Sequence, residues 1–262
     1  MGKKTKIDWT DSTWSPLSGC YHGCGYCYAR RIAERFSGFD VNDLYYGETW
    51  ENVGTAERPL YEVKESQTRT TKRGDIVTAP YPFGFIPTLH SYRLGEPQTW
   101  KEHKDIFVCS MADLFADYIP NEWIMRVFEA CEKAPQHRYF FLTKNPQRYA
   151  DLCNRQKLQG HDNWWFGSTI TNANQTYFSA FGINSFLSIE PIQGYLDAGI
   201  GSFGSVKWII VGAETGNHVG KVEPQREWID NIVETAQLTQ AKVFMKESLR
   251  VLMGNDFIQE RP

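Results

Sequence analysis

Three of the chain's six cysteines, Cys20, Cys24 and Cys27, fall within eight residues of the stretch SGCYHGCGYCYARRIAERF. Their spacing is C-x3-C-x2-C, with Gly19, Gly23 and Gly25 set beside the thiols. A thiolate is a metal ligand, and three in one glycine-rich loop point to metal chemistry. Structural zinc takes four ligands and usually draws them from separated pairs. His22 offers a fourth donor, but no second pair follows, so zinc is the weaker reading. A cluster that only transfers electrons normally carries four cysteines. Three thiolates on a four-iron cube instead leave one iron open to a ligand from outside the protein. The glycines allow a tight wrap of backbone. The helix expected directly afterwards would turn its positive N-terminal dipole toward thiolate charge.

These residues need a scaffold, and the rest of the chain supplies one. Short apolar runs recur at 106–110 (IFVCS), 139–143 (YFFLT), 164–169 (WWFGST), 186–189 (FLSI), 208–212 (WIIVG) and 243–245 (VFM). Each is too short for a helix and rich in β-branched or aromatic residues, as buried parallel strands are. Between several of them lie stripes of helical period: Ile124, Val127, Phe128 and Cys131; Tyr149, Leu152 and Cys153; Ile229, Ile232, Val233 and Ala236. Ala29, Ile32, Ala33 and Phe36 repeat the stripe after the cysteines, and Asn145-Pro146 reads as an N-cap followed by the first helical position. Strand–helix–strand alternation predicts an α/β fold, a parallel (β/α) barrel of six to eight strands, partial or full. TWSPLSG (13–19) is the expected first strand and Phe83–Thr88 a second. The whole chain, 1–262, is expected to be one barrel domain with an insertion or flap within 38–105.

In a parallel barrel, chemistry sits at the C-terminal ends of the strands. Nearly every run here ends in polar residues: Ser110 and Asp113, Thr143 and Lys144, Thr169, Thr171 and Asn172, Ser188 and Glu190, Glu214, then Lys246 and Glu247. Taken together they suggest a lined pocket.

Bulk composition narrows the classes. A net charge of -3 supplies no global basic field for nucleic acid. No apolar run reaches the roughly 18 residues of a membrane helix, so a cytoplasmic protein with reduced thiols and no membrane association is expected. Cys109, Cys131 and Cys153, 22 residues apart in turn, are expected as buried apolar side chains.

The cysteine spacing, with Tyr26 immediately before Cys27, resembles the signature of the radical S-adenosylmethionine (SAM) superfamily. More narrowly, KIDWTDSTWSPLSGC…CYA, FVCSMADLF, FFLTKNP, FLSIEP and IIVGAETG resemble the phage-associated three-cysteine-motif proteins, a radical-SAM-like family of unsettled function. Many members of that family have a longer gap between the first two cysteines than the three residues here. The resemblance implies a TIM-like barrel of the radical SAM type, with a [4Fe–4S] cluster on Cys20, Cys24 and Cys27 and SAM on its open iron. It also implies Tyr26 near the adenine and a flavodoxin- or ferredoxin-type electron donor. The superfamily's Gly-Gly-Glu segment is not present as such. Ser110, Asp113, Ser188, Glu190 and Glu214 are the candidates to take over its contacts with SAM, and Lys144, Asn172 and Lys246 to face a substrate. Few cysteines lie outside the loop, so one cluster and no sulfur insertion are expected.

The phage association suggests a nucleoside, nucleotide or nucleic-acid base as substrate, in modification or repair. Arg69, Lys72 and Arg73 in TRTTKRGD are cations that a phosphate could meet in a loop. The alternatives are a radical SAM enzyme acting on a peptide or small metabolite, and a non-enzymatic zinc or iron–sulfur binding module.

Overall fold

The computed structural model describes residues 5, 7–40, 47–197, 203–215 and 220–262. Its chain divides into two compact units, one mainly Ser12–Leu114 with Tyr118–His137, the other mainly Phe115–Asp117 with Arg138–Pro262.

The first unit contains β1 (Ser12–Trp14), β2 (Leu17–Ser18), α1 (Tyr28–Arg35), β3 (Trp50–Asn52), β4 (Tyr61–Val63), β5 (Thr68–Thr70), β6 (Ile76–Thr78), β7 (Thr88–His90), β8 (Asp105–Val108) and α2 (Asn121–Glu132). The second contains β9 (Arg138–Thr143), α3 (Gln147–Asn154), β10 (Trp164–Thr169), β11 (Asn184–Ile189), β12 (Trp208–Val211), α4 (Arg226–Thr239), β13 (Lys242–Met245) and α5 (Arg250–Met253). Seven strands form a parallel sheet in the order β1-β8-β9-β10-β11-β12-β13, a partial barrel. The expected fold class is therefore the observed one.

Several local expectations change. TWSPLSG is two strands: β1 belongs to the parallel sheet, and β2 pairs antiparallel with β7 in a small sheet ordered β2-β7-β4-β3. Pro16 has no N–H to continue a ladder, and its carbonyl instead accepts from His90 N–H at 2.7 Å. The expected barrel strand at 83–88 is mostly turn, and its apolar residues lead into β7 of the small sheet. The run at 106–110 stops at Val108 because Cys109 adopts a left-handed backbone, φ 58°. Thus β3 to β7 all arise within 38–105, of which 41–46 lie outside the described residues.

The helical stripes hold with two exceptions. Ile124, Val127, Phe128 and Cys131 are buried, as are Ile229, Ile232 and Ala236, which with the half-buried Val233 pack on β11, β12 and β13 through Leu187, Ile189, Ile209, Val211, Val243 and Met245. In α1 only Ala29 and Ala33 are buried; Ile32 and Phe36 remain exposed. In α3 Tyr149 and Leu152 are buried but Cys153 is half-buried, so it is not the core side chain expected. Asn145 does not cap α3: Pro146 holds that position, and Asn145 Nδ2 donates to Phe115 O at 3.0 Å. No helix is described between β10 and β11 or between β11 and β12, so the strand–helix alternation is incomplete there.

Strand alternation gives the second unit two faces. Leu187, Ile209 and Val243 face α4, whereas Phe186 and Trp208 lie on the opposite, inner face with Phe140. Trp9 places its ring 5.7, 6.2 and 5.8 Å from those of Phe140, Phe186 and Trp208, closing that face toward the N-terminal ends of the strands. Gly167 in β10 leaves room for the Phe186 ring, which a Cβ would approach to 2.2 Å. Among the described residues no helix is long and apolar enough to cross a membrane.

Candidate functional site

The cysteine loop leaves β2 and enters α1, both in the first unit. Its start is pinned on two sides: Gly19 N–H donates to Met111 O at 2.9 Å and Cys20 N–H to Phe85 O at 3.0 Å. Gly19 has φ 82°, and a Cβ there would come within 2.2 Å of Ile86 O and 2.7 Å of Phe85 O. Only glycine fits, for both reasons. Gly23 also has a left-handed backbone, φ 71°, at the turn between the first two thiols. Cys27 is the N-cap of α1; its Sγ accepts from Arg30 N–H at 3.4 Å. The side chain sits where orphan N–H groups and the positive end of the helix favour negative charge. All three thiols are free and half-buried. Ala29, Ala33, Phe85 and Met111 form an apolar cluster against which Cys20 and Cys27 pack.

A second layer supports Cys20. Tyr118 OH donates to Cys20 Sγ at 3.3 Å and accepts from Tyr21 N–H at 2.9 Å. The Tyr21 and Tyr118 rings meet edge to face at 5.1 Å, and Tyr21 OH donates to Pro59 O at 2.6 Å. The Arg58 guanidinium lies over the Tyr118 ring, 4.5 Å from its centroid. Burial pushes the Cys20 thiol up, opposed by its hydrogen bonds from Tyr118 and His22. Burial, followed by the proximity of Cys20, also raises the Tyr118 hydroxyl, which keeps it a donor. His22 Nε2 lies 2.8 Å from Asp113 Oδ2. The imidazole considered as a fourth metal ligand is thus held by a carboxylate through that nitrogen.

Of the expected contacts in this unit, Asp113 is buried against His22, and Ser110 Oγ lies 3.3 Å from Ser15 Oγ. Tyr26 is half-buried, and Tyr28 OH donates to Ser110 O at 2.8 Å. Arg69, Lys72 and Arg73 lie on the β5–β6 hairpin, with Lys72 and Arg73 exposed at its turn.

The second unit carries the other candidates. Ser188 alternates with Leu187 and Ile189, which face α4, so it shares the inner face with Phe186. Just beyond the ends of β11 and β13, Lys246 Nζ donates to Glu190 Oε1 at 2.5 Å. The lysine stem crosses Gly212, where a Cβ would lie 3.0 Å from Lys246 Cδ. Glu214 is buried and its Oε2 accepts from Val222 N–H at 3.3 Å. Asn172 is taken up in its own turn, its Oδ1 accepting from Asn174 N–H at 3.1 Å. Lys144 is half-buried at the end of β9. Structure therefore joins Glu190 to Lys246, and occupies Asn172 locally. A groove of about 530 Å³ lies elsewhere in this unit, lined by α4 and the C-terminal segment, and holds none of these residues.

Tyr118, Tyr21 and Arg58 were not legible as site residues. Tyr118 stands 98 residues from Cys20, and no spacing links them.

The donor set can be tested against the two metal readings. Among the described residues no three His, Cys, Asp or Glu side chains are grouped to hold a single metal ion. One zinc ion needs its ligands gathered at bonding distance of one point. In a four-iron cube each cysteine takes its own iron, so its ligands need not meet at one point. The free cysteines, glycine turns and helix N-terminus fit that group.

A search of curated proteins and of solved structures found no match to the chain. A family model described as protein of unknown function (DUF5131) matches residues 4–250. With nearly the whole length matched, around a cysteine loop on a partial parallel barrel, the chain belongs to the DUF5131 family.

Proposed function

We propose that this chain is a radical SAM enzyme whose [4Fe–4S] cluster is held by Cys20, Cys24 and Cys27. The observation that carries the reading is the set of three free, half-buried thiols on one glycine-turned loop that runs into the N-terminus of α1. When bound on Cys20, Cys24 and Cys27, such a cluster would supply one-electron reductive cleavage of SAM to methionine and a 5′-deoxyadenosyl radical able to abstract hydrogen from a substrate, with a flavodoxin- or ferredoxin-type protein as electron donor.

The chain's own residues would hold, shield and orient. Phe85, Met111, Ala29 and Ala33 keep water from the thiol side of the loop. Asp113 fixes the His22 ring, and the Tyr118 hydroxyl directs its hydrogen at Cys20. In the second unit Ser188 offers a hydroxyl, and the paired Glu190 and Lys246 a carboxylate and an ammonium, groups able to bind a polar ligand. For the substrate we propose a nucleoside, nucleotide or nucleic-acid base, on the family resemblance and on the exposed cations of the β5–β6 hairpin. A base within a duplex would have to be flipped out to react. A mononucleotide needs no such step.

The test is anaerobic purification and cluster reconstitution, then iron and zinc content, visible absorption and 5′-deoxyadenosine formation from SAM under strong reductant. Four irons per chain and SAM cleavage, both lost in Cys24→Ala, are expected. Stoichiometric zinc without SAM cleavage would overturn the proposal.

A further inference from the structure

The three thiols are not equivalent. Cys20 Sγ receives an O–H from Tyr118 at 3.3 Å and the N–H of His22 at 3.4 Å. Cys27 Sγ receives one N–H, from Arg30. Among the described residues no hydrogen bond reaches Cys24 Sγ. The Tyr118 hydroxyl has no freedom to turn away. Tyr21 N–H occupies its acceptor side at 2.9 Å, which leaves its own hydrogen for the sulfur. Its ring is held by Tyr21 at 5.1 Å and capped by Arg58, whose positive charge makes the phenol a better donor.

From this asymmetry we infer that Tyr118 is a positioning residue that sets the reduction potential of the cluster through Cys20. The inference rests on the cluster reading given above. A hydrogen bond to a ligand sulfur draws off thiolate charge, and reduction adds negative charge to the cluster. The bond is therefore stronger in the reduced state, and it raises the potential. Arg58 acts in the same direction through the ring.

The experiment is a redox titration of the reconstituted wild-type, Tyr118→Phe and Arg58→Met proteins, followed by electron paramagnetic resonance, with iron content measured for each. Phenylalanine keeps the ring contacts with Tyr21 and Arg58 and removes the hydroxyl, with its bond to Cys20 and its acceptance from Tyr21 N–H. Tyr118→Phe is expected to retain four irons and to show a more negative midpoint. The ratio of reduced to oxidised cluster at fixed potential should fall about tenfold, which is about 59 mV for one electron. Arg58→Met should shift the midpoint the same way by a smaller amount. An unchanged or raised midpoint in Tyr118→Phe would overturn the inference. So would loss of iron in that variant, since Tyr118 would then serve loop structure alone. Failure of the wild-type protein to hold a four-iron cluster would instead refute the proposed function.

Discussion

His90 ties the entrance of the cysteine loop to the small sheet, and acid should cut that tie. It ends β7 with 1% of its surface exposed, and its Nε2 lies 2.8 Å from the hydroxyl of Ser18, two residues before Cys20. Burial, helped by the nearby Arg93 charge, depresses its pKa from 6.5 to about 3. A histidine held neutral in the fold but free to protonate when unfolded stabilises the fold fully above pH 6.5. That stability is lost as pH falls from the unfolded value toward the folded one. Each pH unit in this window costs about 1.4 kcal/mol. Between pH 7.5 and pH 5 the two pKa values predict a loss of about 2 kcal/mol from His90 alone. Carboxylates add their own acid slope, so the measurement is a comparison. Urea unfolding of wild type and His90→Gln at both pH values should show the wild type losing about 2 kcal/mol more on acidification. Equal acid losses in the two proteins would refute the reasoning, because His90 would then titrate alike in folded and unfolded chains.

Other outcomes follow from packing. Gly19→Ala places a methyl 2.2 Å from Ile86 O in a left-handed backbone; the conformation alone costs about 1–2 kcal/mol. Iron retention after reconstitution should fall sharply while far-ultraviolet circular dichroism is kept, and full iron loading would contradict this account of the loop. Gly167→Ala drives a methyl into the Phe186 ring and should cost about 1–3 kcal/mol of overpacking. Adding Phe186→Leu should return part of that loss, and additive single and double effects in thermal unfolding would argue against the contact. Loss of iron and of SAM cleavage in Cys24→Ala and a lowered midpoint in Tyr118→Phe complete the set.

The sequence by itself determined the periodic parts of this protein. Buried strands such as WWFGST need apolar residues on both faces, and α2 and α4 need a stripe toward the sheet; both leave a period that survives in one dimension. The thiol triplet was equally legible, because its three donors come from one loop. Only the tertiary structure decided the rest. Pro16 divides one apparent strand between two sheets through a bond from His90. Ile32 and Phe36 read as core by period yet stand exposed, since the apolar cluster beside α1 takes up only its alanines. His22 stood beside the cysteines in the sequence, but its carboxylate partner, Asp113, lies 91 residues away. Tyr118 reaches Cys20, and Arg58 reaches Tyr118, by folding, not by spacing. Local composition selects elements, whereas hydrogen-bond partners and the environment of a thiol are set by residues remote in the chain that the fold brings within about 3 Å.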